Sequence, residues 1–492
     1  MAENEVRVKK SVTRNAMLNI IKTVMSLAFP LITFPYSARV LGLTAVGKYN
    51  FASSIVSYFT LLAALGFTMY AVREGSKYRD NQKDIDEFSS EVFSINIYSM
   101  LFACLLLLIS ILFIDKLKDY TILLLIFGFR IVLNTIGVNW VFTIFEDFTF
   151  PAIASCIMEV LSISIMLLFV HSPEDLYIYA ISSVIAYNGA HLLMFLNVGR
   201  YVNLRFIPKP PIKHLKPILI IFSLELGMSI YVNSDLTILG WMEGDDAAGL
   251  YSTAATIYRI LKQILNAIIT VVLPRIAYHV SKEKEAKDAE GYEVNHKEVV
   301  DLSNLLVNTL VTLALPMMVG IYALAEPIVT LFAGPAFQNS AEPLQLLSVA
   351  IIFAVLSTFF GESILMAYKQ EKEFMKATAI SAVINIVLNL LLIPHFHINA
   401  AAYTTIVAEM FMLVYTYIEA RKHVRTKVSG NVLISSVIGC VAIYFICMGV
   451  KTIIDSSALY ILVSVVISVA VYFVVLLLFR NDALRELLKF KN

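Results

Sequence analysis

Residues 458–479 read ALYILVSVVISVAVYFVVLLLF, twenty-two positions without a charge, a proline or a glycine. As an α-helix this run is about 33 Å long at 1.5 Å per residue, enough to cross a bilayer core. Working outward, thirteen further stretches have the length and apolar character to do the same: 15–38, 49–72, 91–114, 120–142, 150–170, 176–197, 217–240, 249–274, 301–325, 344–368, 375–394, 399–420 and 431–451. Fourteen spans of about 21 residues would occupy about 60% of the chain, and 59% of its 492 residues are hydrophobic. Only 15% are charged, against about 25% in soluble proteins. The chain is therefore read as an all-α integral membrane protein, and both a soluble globular domain and a disordered chain are excluded.

Composition excludes other classes as well. A net charge of +1, spread without a basic domain, gives no footprint for nucleic acid. Cys104, Cys156, Cys440 and Cys447 lie in apolar stretches and match neither a metal spacing nor a secreted disulfide pattern. The eight histidines show no metal-binding helix spacing, so no metal site and no cofactor is expected. No cleavable leader is expected either, because the first apolar segment is long and lacks a small-residue cleavage site. Gly42-Leu-Thr-Ala-Val-Gly47-Lys48 fits seven places of a phosphate-binding loop. Tyr49 follows where a Ser or Thr is needed, and the segment joins two spans rather than a strand and a helix.

Cations set the orientation. With the N-terminus in the cytoplasm, 29 of the 38 Lys and Arg fall on inside segments. Five fall outside (Arg39, Lys48, Lys116, Lys118 and Lys451) and four lie within spans. Both termini are then cytoplasmic. No outside loop exceeds about a dozen residues, which leaves no room for an outer catalytic domain.

An internal repeat divides the chain. Leu41-Gly42 followed by Gly47-Lys48-Tyr49 returns as Leu239-Gly240 followed by Gly249-Leu250-Tyr251, with Ala52 and Ile55 matched by Ala254 and Ile257. The offset is 198 at the first pair and 202 at the second, as though four residues were inserted between them. Span 1 is thereby equated with span 7 and span 2 with span 8, a parallel repeat about an axis along the membrane normal. The expected layout is a cytoplasmic tail (1–14), a first lobe (15–200), a cytoplasmic linker (201–216), a second lobe (217–422), two further spans (423–480) and a cytoplasmic tail (481–492).

Polar residues line one face of several spans. Asn15, Asn19, Lys22, Ser26, Thr33 and Ser37 share a face of span 1, and Ser252, Thr256, Arg259, Gln263, Asn266 and Thr270 share one of span 8, flanked by Lys262. Asn50, Ser53, Ser57 and Thr60 form a weaker stripe on span 2. Interhelical hydrogen bonding is the plain alternative for the Ser and Thr members. It accounts poorly for Lys22, Arg130, Arg259 and Lys262, each costing about 3 kcal/mol at a helix centre unless it faces water or an acid. A hydrated cavity between spans 1, 2, 7 and 8, with a ladder of positive charge from Lys22 through Arg259 and Lys262 to Arg39, suits a diphosphate or an acidic sugar. Asn19, Ser26 and Asn266 would assist. The spans also hold Glu159, Glu225, Asp235, Glu362 and Glu409. Of these, Asp235, Glu225 and Glu362 are the candidates for coupling to H+ or Na+. Pro30 and Pro35 each leave a carbonyl of span 1 without its helical donor, which marks a hinge.

Further along, Phe34-Pro35-Tyr36-Ser37-Ala38-Arg39-Val40-Leu41-Gly42, Gly47-Lys48-Tyr49 and Tyr70-Ala71-Val72-Arg73 resemble the opening of the Wzx-type polysaccharide repeat-unit flippases, O-antigen-like flippases of the multidrug/oligosaccharidyl-lipid/polysaccharide exporter superfamily. Trp140-Val-Phe-Thr-Ile-Phe-Glu146, Gly249-Leu-Tyr251-Ser-Thr-Ala254 and Val272-Leu-Pro274-Arg275 extend the likeness over about the first 280 residues. The resemblance implies a MATE-like fold: two six-helix lobes, a V-shaped central cavity and two extra C-terminal helices. It implies carriage of a polyprenyl-diphosphate-linked oligosaccharide from the cytoplasmic to the outer leaflet of a bacterial cytoplasmic membrane. Membrane lipids, a polysaccharide polymerase and glycosyltransferases would then be partners. The cations that such flippases use for an anionic headgroup suit Lys22, Arg39, Arg259 and Lys262. Two readings compete within the superfamily, a lipid II-type flippase and a multidrug/cation antiporter, the latter wanting an acidic cavity. No nucleophile–base pair supports an enzyme.

Overall fold

A computed structural model describes residues 25, 29–288 and 296–489. All regular structure in these residues is helical. The chain divides into two compact units, 1–233 and 234–492.

In unit 1, α1 is described over 29–41 and stays helical through Pro35. It is followed by α2 (Leu43–Ala64), α3 (Phe67–Gly75), α4 (Gln82–Phe113), the short α5 (Asp115–Lys118), α6 (Thr121–Ile136), α7 (Asn139–Ile144), α8 (Thr149–Phe169) and α9 (Leu176–Asn197). Then α10 (Leu215–Met242) runs from unit 1 into unit 2 and bends by 59° between 227 and 232. Unit 2 continues with α11 (Asp245–Asp288), α12 (His296–Ala333), α13 (Ala341–Thr358), α14 (Glu371–Ala420), α15 (Gly430–Lys451), α16 (Ser457–Leu478) and α17 (Asp482–Lys489). A π-helical turn, Phe359–Leu365, prolongs α13.

Among the described residues eleven helical segments are long and apolar enough to cross a membrane, or twelve if the bent α10 is one span. This is a multi-span membrane protein. The count differs from fourteen for two reasons. Most of span 1 lies outside the described residues, and spans 11 and 12 run together as α14. Within α14 the backbone leaves the helix at His397, with φ 51° and ψ −132°, three residues after Pro394. That is where the sequence places a loop.

The glycine turns beside the repeated letters stand in a different register from the letters themselves. Gly42 ends α1 with φ 77° and its carbonyl accepts from Val46 N–H. The same turn in unit 2 is made by Gly244, with φ 89° and its carbonyl accepting from Ala248 N–H. Gly240, matched to Gly42 by sequence, is an ordinary residue inside α10. The offset is thus 202 from the turn onward, and no insertion separates the two glycines. A left-handed φ strains any residue with a Cβ, so glycine is needed at both turns. Ala52 and Ala254, also 202 apart, are both fully buried.

Unit 1 has a core around Phe67, Ile85, Phe88, Val92, Trp140 and Ile144. In unit 2, α15 and α16 approach closely at Gly439, where an added Cβ would lie 2.3 Å from the Tyr472 ring. The Tyr472 hydroxyl donates to Thr312 O on α12 at 2.6 Å, which ties the two C-terminal spans to the rest of the unit.

Candidate functional site

Two adjoining polar clusters lie inside unit 2. In the first, Asp235 of α10 is buried and accepts three hydrogen bonds. Tyr251 Oη (2.7 Å) and Thr405 Oγ1 (2.8 Å) donate to Oδ2, and Asn389 Nδ2 (2.6 Å) donates to Oδ1. Asn389 Nδ2 also donates to Asn385 Oδ1 at 3.1 Å, and Thr404 Oγ1 donates to Asn389 Oδ1 at 3.0 Å. Ser234 Oγ completes the cluster on Asn385 Oδ1 at 2.8 Å. The partners come from α10, α11 and α14 and are all neutral. Among the described residues no Lys, Arg or His pairs with Asp235, and no group of three or more His, Cys, Asp or Glu could hold a metal ion. A carboxylate surrounded by amide and hydroxyl oxygens is suited to a proton or a hard monovalent cation.

The second cluster centres on Glu409 of α14, whose side chain is 5% exposed. Lys262 Nζ donates to its Oε1 at 2.8 Å, Tyr258 Oη reaches the same oxygen at 3.3 Å, and Ser357 Oγ donates to Oε2 at 3.4 Å. Lys262, expected as a headgroup ligand, thus already holds an acid within its own unit. Glu362 sits on the π-helical turn, in the field of Lys262. Asn266, one turn beyond Lys262 on α11, has its Oδ1 buried without a hydrogen-bond partner among the described residues. Glu225 is half-buried on α10 and enters none of these hydrogen bonds.

Arg259 is exposed on α11, about 21 Å along the helix from Asp245. Among the described residues no carboxylate pairs with it. In unit 1, Arg39 is exposed at the end of α1. Thr33 Oγ1 and Ser37 Oγ spend their protons on the α1 backbone, at Phe29 O and Phe34 O. Asn50, Ser57 and Thr60 likewise donate to carbonyls of α2. Each of these five bonds stays within one helix, unlike the bonds between helices considered from the sequence. Asn15, Asn19, Lys22 and Ser26 lie outside the described residues. Pro30 and Pro35 are half-buried in α1.

Among the described residues of unit 1, Arg130 is a cation inside a span. Its Nη1 donates to Ser53 Oγ of α2 at 2.9 Å, and its guanidinium lies 5.6 Å from the Phe127 ring centroid. Tyr49 packs edge-on against Phe127 at 5.2 Å and at a tilt against Tyr179 at 4.8 Å. One turn from Arg130 on α6, Asn134 Oδ1 accepts from Asn188 Nδ2 of α9 at 2.8 Å.

The segment 201–216, read from the sequence as a simple linker, is held along α4. Asn203 N–H donates to Asp86 Oδ1 (2.9 Å), Arg205 N–H to Ser90 Oγ (3.0 Å) and Ile207 N–H to Ser94 Oγ (2.7 Å), and Pro208 O accepts from Tyr98 Oη (2.8 Å). The spacing explains the match. Two residues of extended chain advance about 6.6 Å, and four residues of helix advance about 6.0 Å. Asp86, Ser90 and Ser94 therefore keep pace with alternate residues of the strap, and Tyr98 reaches the carbonyl of the residue after the third. At its end His214, buried, is held by Glu91 Oε2 at 2.7 Å and Tyr70 Oη at 2.6 Å. The four-residue polar period on α4 was the available signal, but its partner lies more than 100 residues away.

Comparison with known proteins fits this architecture. The model of a family described as polysaccharide biosynthesis protein matches residues 12–279. A protein named "Putative O-antigen transporter" from Escherichia coli (strain K12) is 22% identical over 407 residues, 82% of this chain and 94% of its own. Among solved structures, a lipid II flippase MurJ in an inward closed conformation is similar with a TM-score of 0.73 at 16% identity, covering 96% of this chain and 100% of that one. An inward-facing multidrug resistance MATE family transporter of the MOP superfamily is similar with a TM-score of 0.61 at 16% identity, covering 84% of this chain and 98% of that one.

Proposed function

The chain belongs to the polysaccharide biosynthesis protein family, and on that premise we propose that it is a flippase for a polyprenyl-diphosphate-linked oligosaccharide, moving it from the cytoplasmic to the outer leaflet of a bacterial inner membrane by alternating access. It is a transporter and not an enzyme. The observation that carries the substrate class is Arg259, an exposed guanidinium far inside the α11 span with no carboxylate partner among the described residues. Facing lipid it would cost about 3 kcal/mol, so it faces a polar cavity, where an anionic headgroup provides the counter-charge. Arg39 and Lys22 are read as further cationic contacts of the headgroup within unit 1, with Asn19 and Ser26 as neutral ones, and Asn266 serves so within unit 2. Lys262 contributes through Glu409. The fourteen-span layout of two six-helix lobes with two C-terminal helices, and cytoplasmic termini, belong to the same reading.

Coupling is placed at Asp235. Its carboxylate has only neutral partners and can exchange a proton or a sodium ion against Thr405, Asn385 and Asn389. Flipping measured in proteoliposomes, with a labelled polyprenyl-diphosphate-linked oligosaccharide and an impermeant reagent, tests both points. The purified protein should expose the label, Arg259→Ala should slow exposure about tenfold or more, and Asp235→Asn should abolish the response to an imposed H+ or Na+ gradient. Extrusion of cationic dyes without movement of any lipid-linked saccharide would establish the antiporter reading instead. Movement of lipid II alone would establish the lipid II-type one.

A further inference from the structure

Arg130 lies about 14 Å along α6 from Thr121, near the middle of its span. Its charge has a hydroxyl and a ring for company, Ser53 Oγ at 2.9 Å and Phe127. Among the described residues no carboxylate pairs with it. The undescribed part of span 1 supplies none, because the chain holds no Asp or Glu between Glu5 and Glu74. A guanidinium does not neutralise itself by losing a proton. No described carboxylate therefore answers its charge, which leaves it free to meet an anion.

A second observation lies one turn away. Asn188 is buried, and its Nδ2 is used on Asn134 Oδ1, yet its own Oδ1 is buried without a hydrogen-bond partner among the described residues. Buried acceptors are rarely left so. Arg130 and Asn134 are i and i+4 on α6, about 6 Å apart along the axis, comparable to the reach of a phosphate and the sugar attached to it.

We propose that Arg130 and Asn188 form an anchoring point within unit 1 for a sugar phosphate, the guanidinium holding a phosphate and Asn188 Oδ1 accepting from a sugar hydroxyl. This rests on the flippase reading and adds to it a place and a polarity for the headgroup. Ser53 holds the guanidinium toward α2 until the ligand arrives.

Binding to the full chain in lipid nanodiscs tests it, with farnesyl diphosphate, farnesol and a farnesyl-diphosphate-linked hexose as probes. The parent protein should prefer the diphosphate to the alcohol. Arg130→Gln should weaken diphosphate binding about 10- to 100-fold and farnesol binding less than about twofold. Arg130→Lys should recover part of the loss, since the charge stays and the fork is lost. Asn188→Leu should weaken only the glycosylated probe. Ser53→Asp is the sharpest variant. It puts a carboxylate where the hydroxyl was, so the guanidinium is neutralised internally and diphosphate binding should fall as in Arg130→Gln while thermal stability holds. A purely structural Arg130 would leave Ser53→Asp binding like the parent. That result, or equal losses for diphosphate and alcohol in Arg130→Gln, would overturn the inference. A parent that holds diphosphate and alcohol equally would overturn the flippase reading itself, and this inference with it.

Discussion

Replacing Lys262 by Met separates a cation that holds the fold from one that holds the substrate. Its ammonium is 2.8 Å from Glu409 Oε1, the Glu409 side chain is 5% exposed, and the Lys262 side chain is 24% exposed. Breaking a buried pair by removing one partner costs about 3–5 kcal/mol. The lower end applies to Lys262→Met, because Tyr258 Oη and Ser357 Oγ still donate to the carboxylate at 3.3 and 3.4 Å. Glu409→Gln should cost less, about 1–2 kcal/mol. The four-carbon stem lets the partly exposed ammonium move to water, and the amide keeps an acceptor. The double variant Lys262→Met/Glu409→Gln leaves no buried charge in this pair and should fall within about 1 kcal/mol of the parent, a coupling of about 3 kcal/mol or more. Unfolding of the purified variants in detergent, completed as a double-mutant cycle, reads these differences. Flipping measured on the same set adds a second readout, since transport lost in Lys262→Met should return in the double variant. Additive costs, or a double variant as inactive as Lys262→Met, would refute the assignment of Lys262 to Glu409 and return it to the substrate.

Gly439→Ala should destabilise the packing of α15 on α16 by about 1–3 kcal/mol, because the new methyl would lie 2.3 Å from the Tyr472 ring; the thermal midpoint checks it. Ser90→Ala with Ser94→Ala removes two acceptors of the strap, at about 1 kcal/mol each, and should raise the rate of tryptic cleavage after Arg205 while the rest of the chain stays resistant. A cysteine at Glu285 should react with an impermeant maleimide in inverted vesicles and not in intact cells, given the 29-to-5 division of cations. Pro30→Ala should slow flipping without weakening farnesyl diphosphate binding, since the carbonyl one turn earlier regains a donor and α1 stiffens.

Much of the fold was legible because a membrane span announces itself locally. With no water in the bilayer core, backbone groups must bond within their own helix, so apolar runs of about 20 residues mark elements one by one. The loop at His397 was readable for the same reason, from a proline between two such runs. The register of the repeat was not. Leu-Gly at 41–42 and 239–240 matched by letter, whereas the turn is defined by backbone dihedrals, and those select Gly42 and Gly244. The candidate site was legible by half. Arg130, Arg259, Lys262, Asp235 and Glu409 stood out because charge is costly in a span. Of their partners, Ser53 was already marked in the polar stripe of span 2, whereas Asn389 and Thr405 did not stand out, because single amides and hydroxyls are common in spans.

The sequence by itself determined that this is a helical membrane protein, where its helices lie and which of their residues carry charge, since each follows from the transfer cost of one residue or one run. Only the tertiary structure decided what each charge meets. Lys262 and Glu409 are 147 positions apart, Asp235 and Thr405 are 170 apart, and the strap at 203–208 pairs with α4 across more than 100. The helix period specifies which residues share a face. Which helices then pack together depends on side-chain shape at every contact, summed over the unit, and no local pattern contains that sum. The same packing sets Arg130 beside Ser53, with no carboxylate pairing it among the described residues, while Lys262 already holds Glu409.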